Sequence, residues 1–310
     1  MTEFADRVFV INKQPGPTSF DVVEAFRRGA RIRKVGHTGT LDPLAGGVLI
    51  LCSGKATRAV EHFMDLSKTY EFEIRLGVGT TTLDAEGDVT EDVACPDLNE
   101  RDVRAVAESF LGECVLEPPA YSAIKRNGKR LYELARAGEV PRVEGRRVNI
   151  YAFDVKRVEL PGVSCRVTCS RGTYVRSLAR DFATKLGLPA HIRNLVRTAI
   201  GRFRIEEGYS SDLVVAGDLS GLQGLTIADA LDFLPGFVIN QTAQRGLMNG
   251  VLPGFSDVLE TIGVPDDDSA IRLLDQSGQL LAIGKRGEGA ARDRLKCVDS
   301  YRLFADNGRP

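Results

Sequence analysis

The 310-residue sequence is 43% hydrophobic and 27% charged with a net charge of −1, the balance of a soluble globular chain long enough for two domains. No apolar run approaches bilayer length, and the acidic N-terminus lacks the apolar stretch of a secretory signal, so the cytoplasm is the expected compartment and no membrane partner is expected. Six cysteines without a C-x-x-C pair and three histidines away from ligand spacing argue against a zinc centre, and no metal is expected.

Charge is distributed less evenly than its total implies. Between Arg166 and Arg204, nine Lys and Arg accompany the single acid Asp181. Between Ala120 and Ile150, Lys125, Arg126, Lys129, Arg130, Arg136, Arg142, Arg146 and Arg147 outnumber Glu133, Glu139 and Glu144. Locally basic segments in a neutral chain point to an anionic partner of the nucleic-acid kind, although solvated arginines on an exposed face read the same way one run at a time.

In chain order, Val8–Lys13 reads as a strand closed by Pro15-Gly16-Pro17, and Thr18 as the cap of a helix running to about Arg28. A basic collar (Arg27, Arg28, Arg31, Arg33, Lys34) precedes Val35-Gly36-His37-Thr38-Gly39-Thr40-Leu41-Asp42-Pro43-Leu44-Ala45-Gly46-Gly47, which cannot be helix interior and runs into a buried strand at Val48–Cys52. Glycines let this backbone pass close to a ligand, and Pro43 restricts Asp42; an Asp-Pro turn of no chemical consequence has equal claim on the pattern. Lys55–Asp65 is expected to be an amphipathic helix, and Ser53-Gly54-Lys55-Ala56 lacks the first Gly and the final Ser/Thr of a phosphate loop. Lys68–Gly77 alternates as a half-buried strand, a hairpin passes through Ala85–Asp88, and a helix spans about Glu100–Phe110.

From Glu117 to Arg130, Tyr121 and many bases surround an Asn127-Gly128 turn, a mixture suited to nucleic-acid contact, ahead of a short helix at Leu131–Ala137. Arg147–Glu159 and Val163–Ser170 form an antiparallel pair in which Cys165 and Cys169 share a face. Thr173 is a candidate cap for a helix whose stripe is Val175, Leu178, Ala179, Phe182 and Leu186. Arg176 falls in its first turn, at the positive end of the helix dipole, and therefore needs a nearby carboxylate. An arginine-rich strand or strand pair follows at Ala190–Phe203, then an acidic helical segment at Asp212–Asp232 and a boundary at Pro235-Gly236. Ala270–Asp275 and Gln279–Lys285 form a hairpin suited to a small β-barrel module.

The loop Gly36–Ala45 strongly resembles that of the TruB family of tRNA pseudouridine-55 synthases. Lys68-Thr69-Tyr70, Pro119–Lys125 with Gly128–Tyr132, and Arg171–Arg176 resemble further motifs of that family in the same order, and the tail, through Asn249-Gly250 and Leu280–Lys285, is similar to a PUA domain. The resemblance implies an α+β fold with a mixed, largely antiparallel central sheet flanked by helices, plus a small C-terminal β-barrel. It implies a catalytic domain over 1–235, with an RNA-gripping insertion at about 118–148, and a PUA-like RNA-binding domain over 236–310. Asp42 is then the catalytic acid, acting as nucleophile or as base at the ribose, and Arg176 its partner, expected to lower its pKa. Tyr70 would stack on the flipped base with a secondary proton role, and His37 would fill the gap that base leaves. Leu195 would line the pocket and Tyr174 hold Arg176, while Lys125, Arg126, Lys129, Arg130, Arg146 and Arg147 would contact phosphates. The implied substrate is a uridine of the tRNA T-arm, converted to pseudouridine without a cofactor by a monomer. The same chemistry on another RNA, a non-catalytic RNA-folding role, and, last, a carboxylate glycosidase are the alternatives, the last weakened because the loop offers one acid where two are needed. The insertion Asp266-Asp267-Asp268 departs from the family pattern.

Overall fold

A computed structural model describes residues 3–122, 125–126, 129–131, 143–264, 270–286, 295–296 and 304. Strand β1 (Val8–Lys13) leads through the Pro15–Pro17 turn into helix α1 (Ser19–Ala30), where Thr18 and Asp21 cap each other's backbone. After β2 (Val35–His37) and the glycine-rich loop, β3 (Gly46–Ser53) is buried along its whole length. A 3₁₀ turn over Gly54–Ala59 and helix α2 (Val60–Asp65) replace the single helix expected at Lys55–Asp65. Then come β4 (Lys68–Leu76), β5 (Val78–Thr80), β6 (Val89–Asp92), α3 (Glu100–Glu108) and β7 (Gly112–Leu116). The basic turn forms a two-stranded hairpin, β8 (Lys125–Arg126) with β9 (Lys129–Arg130). Past Leu131, the expected helix at 131–137 lies outside the described residues, as do the side chains of β8 and β9.

The chain continues through β10 (Arg146–Glu159), β11 (Gly162–Cys169), helix α4 (Val175–Lys185), β12 (Ala190–Ile200), β13 (Phe203–Arg204) and β14 (Tyr209–Ser210). These strands build one ten-stranded sheet in the order β14-β1-β3-β12-β4-β11-β10-β7, with β2 beside β3 and β13 beside β12. Only β1·β14 and β3·β12 pair in parallel, so the sheet is mixed and largely antiparallel.

Alternation along β3 feeds two cores. Leu49 and Leu51 face α1 with Phe9, Val22 and Phe26, while Val48, Ile50 and Cys52 face Phe63 and Phe203. A third core lies under α3 and α4, where Phe153 meets Phe72, Phe110 and Phe182 at centroid distances of 6.0, 6.1 and 5.7 Å. The acidic stretch at Asp212–Asp232 is not one helix but two short ones, α5 (Ser211–Ala216) and α6 (Ile227–Ala230). Gly217, in the left-handed region at φ 83°, ends the first and turns the chain away.

Downstream, β15 (Gly236–Ile239), α7 (Gln241–Met248), β16 (Val258–Ile262), β17 (Ile271–Leu274), β18 (Leu280–Arg286) and β19 (Leu295–Lys296) form a second sheet, ordered β16-β15-β17-β18-β19. Among the described residues this sheet is open rather than a closed barrel. It shares a core with the main body: Leu274, Leu280 and Ile283 pack in the cluster that contains Phe63, Ile200 and Phe203. Arg272 reinforces the junction, its guanidinium donating to the carbonyls of Ala228 and Leu234, each at 2.9 Å. The Asp266–Asp268 insertion lies outside the described residues.

Candidate active site

One short stretch, from the end of β1 to the first turn of α1, holds the loop that carries Asp42. Ser19, in the first turn of α1, accepts from Leu41 N–H at 2.8 Å and donates to Leu41 O at 3.2 Å. Gly16 N–H donates to Pro43 O at 2.8 Å. The fully buried Lys13 ammonium reaches four carbonyls, those of Gln14, Asp42 and Pro43 at 3.2 Å and Ala45 at 2.7 Å. Burial pulls its pKa down to about 8, against the opposing attraction of Asp42. The proline-glycine turn after β1 is therefore the floor on which the Asp42 loop stands.

Opposite the loop, α4 brings Arg176 in its first turn. Its Nη2 donates to Asp42 Oδ1 at 2.9 Å, and its Nε lies 2.9 Å from Asp42 Oδ2, an ion pair with one well-formed hydrogen bond; among the described residues the Nε–H has no hydrogen-bond partner. The carboxylate required by an arginine at a helix start is present, and so is a second: Asp84 Oδ2 lies 3.4 Å from Nη1. Nη1 donates to the Thr82 carbonyl at 2.8 Å and Nη2 to the Tyr121 carbonyl at 3.0 Å. Arg176 is thus fixed from four sides with its side chain 5% exposed, whereas Asp42 keeps 32% of its side chain open. The expectation that Arg176 depresses the Asp42 pKa is corrected: the carboxyl is raised, because burial outweighs the arginine and Asp84 adds like-charge repulsion.

These groups border a cavity of about 330 Å³, whose wall includes Asp42, Tyr70, Tyr174, Arg176, Leu195 and Arg197. Tyr70 on β4 stands directly opposite Arg197 on β12. A register irregularity between Ile192 and Asn194 shifts the inward parity of β12 from even to odd positions, so that Leu195 and Arg197 turn to the buried side. Arg197 is buried beneath the site, donating from Nε to Val48 O at 2.8 Å and from Nη2 to Gly39 O at 3.0 Å. Burial pushes the Tyr70 phenol up, partly countered by Arg197, so the ring is neutral at physiological pH.

The remaining expected site residues divide. His37 ends β2, and Thr38, the residue after it, belongs to the cavity wall. Burial and Arg197 pull the His37 pKa down, and Gly39 N–H donates to its Nδ1 at 3.3 Å, which selects the neutral tautomer protonated on Nε2. Tyr174 is in the wall at the cap position of α4, but among the described residues the groups that hold Arg176 are those named above. Thr173 is not the cap: its hydroxyl donates to Ser170 O at 3.0 Å. Arg146 reaches the cavity wall, whereas Arg147 is exposed and paired with Glu113 at 3.1 Å. Lys125, Arg126, Lys129 and Arg130 lie on the β8–β9 hairpin, close in sequence to the Tyr121 carbonyl that holds Arg176.

Sequence reasoning missed Lys13, Asp84 and Arg197. Asp84 sits in the Thr80–Asp88 turn, 3% exposed, with Glu86 N–H donating to its Oδ1 at 3.1 Å. Its only local signal was an acid among threonines, which is also the signature of an ordinary turn. Arg197 was readable in principle, since it alternates with Leu195 and Ala199 on an inward face, but it is one of nine bases in a segment whose excess charge pointed to a nucleic acid.

A carboxylate held by a buried guanidinium at the edge of a nucleoside-sized cavity, with a neutral tyrosine beside it, is equipped for chemistry on a sugar or base. Comparison with known proteins gives the class. Residues 27–175 match the TruB family pseudouridylate synthase N-terminal domain. The tRNA pseudouridine synthase B of Burkholderia pseudomallei strain 668 is 41% identical over 297 residues, covering 94% of this chain and 96% of that one. The protein of the same name from Geobacillus kaustophilus strain HTA426 is 41% identical over 268 residues, 83% of this chain and 94% of that one. In fold, the chain matches a Cbf5-Nop10-Gar1 complex with a TM-score of 0.74 at 24% identity, covering 97% of this chain and 86% of the other. The class is pseudouridine synthase, an isomerase. Within it, the chain belongs to the TruB family.

Proposed function

We propose that this enzyme converts uridine 55 in the T-loop of tRNA to pseudouridine, with Asp42 as the catalytic residue. The tRNA substrate is carried by the shared name of the 41% identical relatives, tRNA pseudouridine synthase B. The observation that carries the chemistry is the Asp42–Arg176 ion pair at the cavity wall, in which Nη2 donates to Oδ1 at 2.9 Å. The reaction breaks the bond from C1′ to N1, turns the uracil, and joins C1′ to C5; the C5 proton is lost and N1 gains one, so the change is redox-neutral. Asp42 begins it, as nucleophile or by taking a proton from the ribose, and both routes need it ionised beside Arg176. Tyr70 stacks on the base, a role that suits a neutral phenol and leaves proton transfer secondary. Leu195 and Tyr174 supply cavity wall, and His37, at the start of the loop, occupies the space vacated by the extruded base.

Lys125, Arg126, Lys129, Arg130 and Arg146 take phosphates of the T-arm, with Arg147 released from Glu113 to join them. The C-terminal segment 236–310 acts as a PUA-like RNA-binding unit beside a catalytic domain over 1–235, and the enzyme works in the cytoplasm as a monomer. Single-turnover pseudouridine formation in a tRNA transcript tests the reading. Wild type is expected to modify position 55, and Asp42→Asn to bind the RNA without modifying it. A wild-type protein that binds but leaves uridine 55 unchanged overturns it.

A further inference from the structure

We propose that Arg197 is a positioning residue for negative charge: acting through Tyr70, it favours the detached uracil as an anion, a role that rests on the uridine-isomerase reading above. Arg197 is 2% exposed and belongs to the cavity wall, yet its printed partners are neutral. Nε donates to Val48 O at 2.8 Å and Nη2 to Gly39 O at 3.0 Å, and among the described residues no carboxylate pairs with it. The other arginines of the wall differ: Arg176 has Asp42 and Asp84, and Arg171 has Glu61 and Asp65. Two buried lysines near the site also bond to carbonyls, Lys13 beneath the loop and Lys68 to those of Met64 and Leu66, but burial brings each to a pKa of about 8. A lysine can shed its proton, whereas a guanidinium keeps its charge. Pinning a strand to a loop needs donors, not a permanent buried cation without a counter-ion, which is costly.

Tyr70 and Arg197 stand directly opposite on the antiparallel strands β4 and β12, so their side chains share one face, and the guanidinium donates to the phenol oxygen. The positive charge therefore sits behind the ring on which the base is expected to stack. When C1′–N1 breaks, the electron pair leaves with the uracil and spreads over N1, O2 and O4. C1′ is meanwhile bonded by Asp42, or forms a double bond to C2′ as Asp42 takes the 2′ proton. Both routes release the same anion, which is consumed when C5 joins C1′, C5 loses its proton and N1 gains one. A phenol bonded to a cation has an electron-poorer face, against which a ring anion stacks better. In a buried wall the fixed charge acts without touching the base. The same charge is felt around the site: Arg197 helps to lower the pKa values of His37, Lys13 and Lys68.

The test reads the charge of the ring directly. A T-arm RNA carries 5-fluorouridine at the target position, a ring that ionises more readily than that of uridine and whose ionisation fluorine NMR follows. It is bound to Asp42→Asn, expected to hold the RNA without reacting, and to the same protein with Arg197→Met or Tyr70→Phe added. The ring should ionise at lower pH in the Asp42→Asn complex than in free RNA, and either added change should weaken its acidity by about tenfold. The two changes together should do little more than either alone, since both break one chain of contacts. Tyr70→Phe leaves the bonds of Arg197 to Val48 and Gly39 in place, so it carries the test if Arg197→Met does not fold. Weaker RNA binding with unchanged ring acidity would make Arg197 a strut alone and overturns the proposal. A bound ring no more acidic than the free one, or an acidity that Tyr70→Phe leaves unchanged, overturns it as well. Failure of wild type to form pseudouridine would count against the function instead, and ring ionisation in the bound RNA would still report on Arg197.

Discussion

At Asp42 three charges compete at short range. Burial and Asp84 favour the neutral acid, and Arg176 favours the carboxylate, with the balance on the raised side. In the proposed mechanism the ionised form of Asp42 is the active one, so the acid limb of the rate profile should lie above the ordinary carboxylate range. Asp84→Asn removes the repulsion, so the Asp42 pKa falls and the limb moves to lower pH. The same change loosens Arg176, and kcat should drop by roughly tenfold, about 1.4 kcal/mol of lost positioning. A pH–rate profile checks both, and a limb that moves upward would refute the sign.

Lys13 makes a second residue-scale prediction. Its folded pKa of about 8 lies below the ordinary 10.5, so between these values the unfolded chain holds the proton that the folded chain has released. Stability relative to Lys13→Met should therefore rise with pH across that window, by on the order of 3 kcal/mol. Melting temperatures of the two proteins from pH 7 to 10.5 measure it; a constant difference would show that the burial cost has been misjudged.

At the scale of elements, the site depends on how β3 meets β12. Gly47 has φ 107°, and a Cβ there would fall 2.2 Å from Arg197 O and 2.7 Å from Arg197 N. The glycines of the loop had suggested close approach to a ligand; at Gly47 the close approach is to the neighbouring strand. Gly47→Ala must push β3 off β12 at Arg197, the residue that carries Gly39 and faces Tyr70. A loss of roughly 3–4 kcal/mol and about 10 °C in melting temperature is expected, and a protein that melts as wild type would contradict the packing. Strands with clear alternation (β4, β10, β11) were legible in the sequence because each has one buried face. The three short α-helices and the 3₁₀ turn that replace two longer expected helices were not, because periodicity over a few residues does not outweigh a glycine or a tertiary contact.

Over the whole molecule, a net charge of −1 conceals cations that are concentrated in a few segments. If the β8–β9 hairpin grips phosphates, Lys125→Ala or Arg126→Ala should weaken tRNA binding and reduce the slope of log K against log salt by about 1 each. An unchanged slope would remove that residue from the interface. The C-terminal sheet is continuous with the body through Leu274, Leu280, Ile283 and Arg272, so deleting the tail would strip part of a core. Point substitutions on its exposed face are the cleaner probe of its role.

The amino-acid sequence by itself determined the principal strands, the capped first helix, the Asp42 loop and the need of Arg176 for a carboxylate, because each rests on neighbours a few residues apart. Only the tertiary structure decided that Arg176 has two acids rather than one, that Lys13 underpins the loop, and that Arg197 lies beneath Tyr70. Those are contacts between residues up to 160 positions apart, and their signs depend on burial, which no local pattern encodes.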